Sequence, residues 1–586
     1  MPLPPAVVCN PVDLPYRYQD VRPLLGRRSV HREGADPSVV LFRGRYYLFV
    51  SLSRGFFHSS DLRTWSFRST DRLPALDYAP DVSVIDGALY ICASRRLRAS
   101  PIFRSVDPLE DDFTEIATGG FPFWDPHLFQ DDDGRTYLYW GCSSRAPVRG
   151  REVDPSTFQG RGERRDLISS DAGRHGWERR GGDSVRETSP TLVDRISDAI
   201  LGDGPFLEGA WMTRHGDQYH LQYAAPATQS SAYADGVVTA SSPLGPFEPS
   251  PHNPYSSKPG GFVTGAGHGS TFQDVHGNWW HTATMRISVN HVFERRIGLF
   301  PAGFDADGVL FCNQNFADYP MVVPDGPFDP WRDAFAGWML LSYHKSVVTS
   351  SEADGRPGSL AVNEDIRSWW TAGSPEEGEW IQVDLGEDRV VAAIQVNLAD
   401  AGVARFAPRC ADGRPVIDAL RAVYPDSEPT EMLIEVSEDG VVWQAISDTR
   451  GSGVDAPHRM TVLESPRPAR FVRVTAGRMP FGSPFAVSGL RVFGTKEGPL
   501  PVDVEVMSAR VDQLTAELQW VPVAGADGYN VRYGLAPDKL YHSWMVYDRT
   551  RLQLPTLTAG RDYWVAVDSF GETGITEGEP VLVPAP

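Results

Sequence analysis

A chain of 586 residues is too long for one hydrophobic core, and its 41% apolar and 22% charged residues are the make-up of ordinary globular domains, so about three domains are expected. With 55 Lys and Arg against 76 Asp and Glu, the net charge of −21 argues against a nucleic-acid partner and against an anionic membrane surface. The five cysteines (Cys9, Cys92, Cys142, Cys312 and Cys410) lie far apart, which leaves no CxxC pair for zinc or redox chemistry and points to reduced thiols. No apolar run reaches the roughly 18 residues of a membrane-spanning helix. The opening MPLPPAVVCNPVDLPYRYQD lacks the basic and apolar regions of a signal peptide, so the chain as written reads as cytoplasmic, and as secreted where a leader has been removed.

In chain order, one phrase recurs five times: a small or acidic opening residue, an apolar strand, a Gly turn and an aromatic-rich strand. The first copy, Ala35-Asp36-Pro37 with SVVLFRGRYYLFVS, turns at Gly44. The second, Ala79-Pro80-Asp81 with VSVIDGALYICAS, turns at Gly87, and its slot matching Asp36 holds Ala79. The third, Trp124-Asp125-Pro126 with HLFQDDDGRTYLYWG, turns at Gly134. A polar, Arg- and Gly-rich stretch from about 149 to 203 then reads as an insertion. The fourth copy, GPFLEGAWMTRHGDQYHLQY, sets Glu208 between Leu207 and Gly209 and turns at Gly216; the fifth, Gly267-His268-Gly269 with STFQDVHGNWWHTAT, turns at Gly277. Period-two alternation on both sides of a glycine is a hairpin signal. Multi-stranded repeats spaced roughly 45 to 85 residues apart predict a five-bladed β-propeller over residues 1–333, with a β-sandwich of similar hairpins as the competing arrangement.

In a propeller the opening positions converge at one end of the central channel. Asp36, Asp125, Glu208 and His268 would then share a pocket. Carboxyls brought together have their pKa values pushed apart, and Glu208, among apolar neighbours, would hold its proton longer. Such a set suits acid–base cleavage of a glycosidic bond. Plainer roles compete: Asp36 and Asp125 each precede a proline and would suit turn ends, His268 would suit a satisfied channel position, and Arg295 would suit an ion pair with an Asp. Asp131-Asp132-Asp133-Gly134 lacks the spacing of a calcium loop and reads as a turn. No helical pattern follows Gly265, Gly267 and Gly269, so they make no dinucleotide fingerprint.

With these phrases in view, residues from about 10 to 325 resemble glycoside hydrolase family 43. The resemblance rests on Ala35-Asp36-Pro37, Asp125-Pro126-His127-Leu128, Glu208-Gly209-Ala210, Gly267-His268-Gly269 and Arg295 in ERRIGLFP. It implies a propeller fold and an inverting mechanism, with Asp36 as general base, Glu208 as general acid, and Asp125 orienting substrate and raising the acid's pKa. Arg295, His268 and Trp124 are the implied substrate contacts. Within the family the layout best matches an exo-acting α-L-arabinofuranosidase working on oligosaccharide or polysaccharide side chains with terminal furanosides. A β-D-galactofuranosidase or β-xylosidase is the alternative, ahead of an endo-arabinanase or a non-catalytic sugar-binding protein. No cofactor is required; a structural Ca2+ or Na+ beside His268 is compatible with the position. Ala210, where many members have Pro, and the long insertion are departures that bear on substrate identity.

The Pro- and Gly-bearing DGPFDPWRD near 325–333 marks a boundary. Residues 334–497 resemble a discoidin-like (factor 5/8 type C) jelly-roll. Their Trp369, Trp370 and Trp380 are candidates for stacking on sugars, although WIQVDLG is itself a core pattern and favours burial. Residues 498–586 resemble a fibronectin type III sandwich, with Trp520, Tyr529 and Tyr563 as its marks and Tyr563 as a candidate tyrosine corner. The expected fold class is all-β throughout.

Overall fold

The computed structural model describes residues 6–23, 26–74, 78–95, 98–180, 204–411, 414–416 and 419–586. Among them the regular structure is β-strand with a few short 3-10 turns and no α-helix, and no helix is long and apolar enough to cross a membrane.

Each of the five phrases opens an antiparallel sheet built from consecutive strands, and we number these sheets I to V. Their first strands are Ser38–Phe42, Asp81–Ile85, His127–Gln130, Glu208–His215 and Thr264–Gln273. All five predicted turn glycines have positive φ, between 57° and 83°. In sheets I and II the preceding Arg43 and Asp86 do too, so both central residues of those two-residue loops are left-handed, as a hairpin matched to strand twist requires. The first strands neighbour one another in a closed cycle, I to II to III to IV to V and back to I.

Apolar clusters fill the gaps between successive sheets. Phe49 and Phe56 of I meet Leu89 and Ile91 of II; Ile85 and Tyr90 of II meet Leu128 and Leu138 of III; Tyr137 and Tyr139 of III meet Met212 and Leu221 of IV. Val237 of IV packs with Ala283 and Met285 of V, and Trp280 and Leu299 of V with Val39 and Leu48 of I. Every sheet is contiguous in sequence, so the ring closes without a shared strand, through this packing and through side chains. The residue two past the opening position does the stitching: Ser38 Oγ accepts from Val82 N, Asp81 Oδ2 from Leu128 N, and Ser270 Oγ from Val39 N at the closing seam.

The polar stretch read as an insertion from about 149 is not one at its start. Val148–Val153 and Gly160–Ile168 are the two outer strands of sheet III. Residues 161–166 of the last strand are exposed, so it has no apolar alternation to reveal it. Residues 174–179 lie against the C-terminal end of the chain, with Gly176 N donating to Leu557 O and Arg179 Nη2 to Pro555 O. Residues 181–203 of the predicted insertion lie outside the described residues.

Beyond the ring, one cluster drawn from residues 341–492 fills a sheet of eight strands, and another drawn from 504–583 lies between sheets of three and five strands. Trp370 is fully buried, while guanidinium groups cover Trp369 (Arg356, 3.7 Å) and Trp380 (Arg473, 5.1 Å). Tyr563 Oη accepts from Thr558 N five residues upstream, the bond expected of a tyrosine corner. A strand pairing also crosses between regions: Arg17–Pro23 of an N-terminal hairpin pairs with Ala419–Val423, so a strand from the second region is laid beside the ring.

Candidate active site

The opening positions do converge. Asp36, Ala79, Asp125 and His268 all have left-handed φ, from 48° to 53°. In sheet IV that conformation falls on Gly209, one residue after Glu208. A Cβ on Gly209 would stand 2.7 Å from His268 Cγ, so the residue after the carboxyl has to be glycine. The glycines flanking His268 are equally fixed. A Cβ on Gly267 would meet the Tyr233 ring at 2.8 Å, and one on Gly269 would meet Thr282 O at 2.0 Å.

Two serines hold two of these openings. Ser51 Oγ donates to Asp36 Oδ2 and accepts from Ala79 N; Ser94 Oγ donates to Asp125 Oδ1 and accepts from Asp125 N. They end the second strands of sheets I and II, fifteen residues after Asp36 and Ala79. Thr284 Oγ1 of sheet V accepts from Asp36 N across the seam.

His268 Nδ1 lies 3.4 Å from Asp36 Oδ1 and 3.9 Å from Asp125 Oδ2, which places the histidine between the two aspartates. Arg295 Nη1 is 3.5 Å from Asp36 Oδ1, while its Nε and Nη2 grip Glu33 Oε1 at 2.8 and 2.7 Å. Glu208 Oε1 accepts from Tyr233 Oη at 2.6 Å and its Oε2 from the Cys142 thiol at 3.2 Å. One oxygen each of Asp125 and Glu208 and the Cys142 sulfur lie within 4.8 Å of one another. Trp124 is half-buried beside Asp125, and its carbonyl accepts from Gly141 N.

Charge states follow from neighbours. Burial works to raise the pKa of Asp36, but Arg295, His268, the Ser51 hydroxyl and the Ala79 amide outweigh it and hold it below the usual carboxylate range. Asp125 is as buried but faces Glu208; burial and the like charges of Glu208 and Asp36 push it up to about 7 against the opposing pull of His268 and Ser94. The like-charge effect expected to act on the acid is thus felt by Asp125. For His268, burial favours the neutral ring, yet Asp36, Asp125, Glu208 and Asp235 together raise its pKa. Asp235 also accepts from the backbone N of His268 and Gly269 and so fixes that turn.

The site therefore holds a charged aspartate and, across His268, an aspartate pushed up to about 7 beside the carboxyl of Glu208. That arrangement can take a proton from one group and give one to another. Sequence reasoning brought Asp36, Asp125, Glu208, His268 and Arg295 here. It missed Ser51 and Ser94, although the copies ending in VS and AS carry the signal, and it missed Glu33, Tyr233 and Cys142, which lie outside the repeated openings. Among the described residues, Asp125, Cys142 and Glu208 form the group of acidic, imidazole or thiol donors close enough to share an ion. A thiol in that set does not suit a hard Ca2+ or Na+, and His268 is not part of it, so no step is drawn through a cation.

Residues 29–310 match the sequence profile described as Glycosyl hydrolases family 43. This part of the chain belongs to that family. The chain is 26% identical over 274 residues to a β-D-galactofuranosidase, xynD, of Aspergillus niger, covering 41% of this chain and 69% of that one. A xylan 1,3-β-xylosidase of a Vibrio species is 24% identical over 356 residues (55% and 58% covered), and xylosidase/arabinosidase 43A of Humicola insolens is 25% identical over 332 (47% and 95% covered). The chain spans about half the length of the Vibrio relative and of an Escherichia coli one, 58% and 46%.

Proposed function

We propose that this protein is an exo-acting, inverting glycosidase that releases terminal furanose units, foremost α-L-arabinofuranose, from oligosaccharide or polysaccharide side chains. The observation that carries the reading is the meeting at His268 of Asp36, held charged, with Asp125, pushed up to about 7 beside the half-buried carboxyl of Glu208. In the forward reaction Asp36 takes a proton from water as that water attacks the anomeric carbon. Glu208 gives its proton to the departing oxygen, and Tyr233 and Cys142 then donate hydrogen bonds to the carboxylate left behind. Arg295 keeps Asp36 ionised, and Asp125, pushed up to about 7, limits the negative charge that faces the acid. Every proton in this scheme moves between side chains, water and sugar, so the reaction needs no cofactor.

The closed ring is read as a five-bladed β-propeller, residues 334–497 as discoidin-like and 498–586 as fibronectin type III-like. The choice of arabinose leans on family likeness; β-D-galactofuranoside and β-xyloside need the same carboxyls in a differently shaped pocket, and relatives named for both activities are similar to this chain. The test is hydrolysis of nitrophenyl α-L-arabinofuranoside, β-D-galactofuranoside and β-D-xyloside, with Glu208→Ala as control and the product anomer read by NMR. We expect release from the arabinofuranoside with inversion. Retention would overturn the mechanism, and a wild type as inert as the control on every sugar would leave a sugar-binding protein.

A further inference from the structure

The strand laid beside the ring by the second region carries a residue to the site. Ala419–Val423 pairs with Arg17–Pro23 in a register that sets Arg421 opposite Val21 and Val423 opposite Gln19. Arg421 is 7% exposed. Its Nη1 donates to Gln19 Oε1 at 3.0 Å, and its Nε is buried with no hydrogen-bond partner. Beyond that amide, its charge acts on the buried carboxyl of Glu33, the same carboxyl that Arg295 grips. The Arg421 guanidinium lies over the ring of Tyr78 at 5.4 Å, and that of Arg295 lies over the same ring at 5.9 Å.

Tyr78 is half-buried and adjoins the site through the backbone. It precedes Ala79, whose N–H is bound by Ser51, the residue that also binds Asp36. Two cations over one aromatic ring fix its orientation more tightly than packing alone. One comes from sheet V and contacts Asp36; the other comes from more than 380 residues along the chain from Val39 of sheet I, inside the second region.

We propose that Arg421 is a positioning residue of the sugar pocket, contributed by the second region, which holds Tyr78 beside Arg295 and Asp36 so that the phenol presents a fixed edge to the bound furanose. The inference rests on the glycosidase reading and adds that the pocket is completed by residues outside the family 43 match. It gives the second region a part in substrate binding that does not depend on any sugar site of its own.

The test compares wild type with Arg421→Met, Arg421→Lys, Tyr78→Leu and the Arg421→Met/Tyr78→Leu double variant, all in the full chain. On the nitrophenyl glycoside that wild type cleaves, Arg421→Met is expected to raise KM about tenfold while kcat stays within about threefold, a loss of binding rather than of chemistry. Arg421→Lys recovers part of KM, since a point charge over the ring replaces the planar group. In the Tyr78→Leu background the same substitution adds nothing, because the two act as one unit. A KM within about twofold of wild type overturns the proposal, and so does an undiminished effect in the Tyr78→Leu background. So does a KM rise matched by a fall in thermal midpoint that Arg421→Lys does not relieve. Should wild type cleave no glycoside, the glycosidase reading falls by itself. Calorimetric titration with free L-arabinose, D-galactose and D-xylose then decides: about tenfold weaker binding by Arg421→Met supports the proposal, and equal binding, or none by either protein, overturns it.

Discussion

Asp36 and Asp125 occupy equivalent positions in sheets I and III, and the chain treats them alike up to a point. Each has left-handed φ, each is 5% exposed, and each accepts a hydrogen bond from a serine that ends a neighbouring second strand. They nevertheless differ in charge near neutral pH: Asp36 is ionised, while Asp125, pushed up to about 7, is partly protonated. Burial alone would raise both. Arg295 reverses that for Asp36, and Glu208 reinforces it for Asp125. A repeated fold thus supplies two copies of one carboxyl site, and a single different neighbour turns one into a base and the other into part of a proton store.

The widest break in that comparison comes from removing the working groups. Asp36→Asn leaves the geometry and deletes the charge, and Glu208→Gln deletes the transferable proton. Each is expected to lower kcat on the cleaved nitrophenyl glycoside by about 10³-fold with KM little changed. Asp125→Asn, which resembles the protonated form already present, should lose far less, about tenfold. Equal losses in all three would mean that the charge difference between the aspartates has no part in turnover.

Next in size is the neighbour that sets the difference. Arg295→Met combined with Glu33→Gln removes the cation and the buried carboxylate it would otherwise strand. Asp36 then feels burial with less opposition, so its pKa rises. The acidic limb of the kcat/KM profile should move up by about one pH unit, with about a 10²-fold loss at the optimum. The alkaline limb, which reports the Asp125–Glu208 pair losing its proton near pH 7, should stay where it is.

These groups differed in how legible they were. Asp36, Asp125 and His268 could be found because a left-handed opening residue before a strand recurs, and recurrence shows in sequence. Glu208 was legible as the opening of the fourth copy, although there the left-handed conformation falls on Gly209, which the His268 ring keeps glycine. The serines were visible only as repeat endings whose purpose needs the next sheet to be understood. Glu33, Tyr233 and Arg421 were not legible, because they reach the site from a hairpin, a third strand and another region, and no local pattern encodes that convergence. The outermost strand of sheet III failed for a simpler reason: residues 161–166 are exposed, and a strand solvated on both faces has no alternation to read.

A smaller effect lies in stability. The folded-state pKa of Asp125, about 7, stands above the ordinary value of 3.8. Below about pH 4 both folded and unfolded forms hold the proton, and the site costs nothing. As pH rises the unfolded chain gives up its proton first, and by about pH 8 the full penalty, on the order of 4 kcal/mol, is present. Asp125→Asn should therefore raise the thermal midpoint of the family 43 region at about pH 8 and leave it unchanged near pH 4. A midpoint difference independent of pH would show that folding leaves the pKa of Asp125 where it stands in the unfolded chain.

The finest test uses the two serines, which make the same bond to aspartates whose pKa values are shifted in opposite directions. Each hydroxyl donates to the carboxylate and favours ionisation, so each alanine variant raises the pKa of its own aspartate. Raising that of Asp36 removes base at low pH, so Ser51→Ala should shift the acidic limb up by a few tenths of a unit and narrow the active range. Raising that of Asp125 strengthens the proton store, so Ser94→Ala should shift the alkaline limb up by a similar amount and widen it. One substitution type, made at two equivalent places, is then expected to change the breadth of the pH profile in opposite senses. Shifts of the same limb in both variants would mean that Asp36 and Asp125 titrate as one group, and the separation of base from proton store would have to be abandoned.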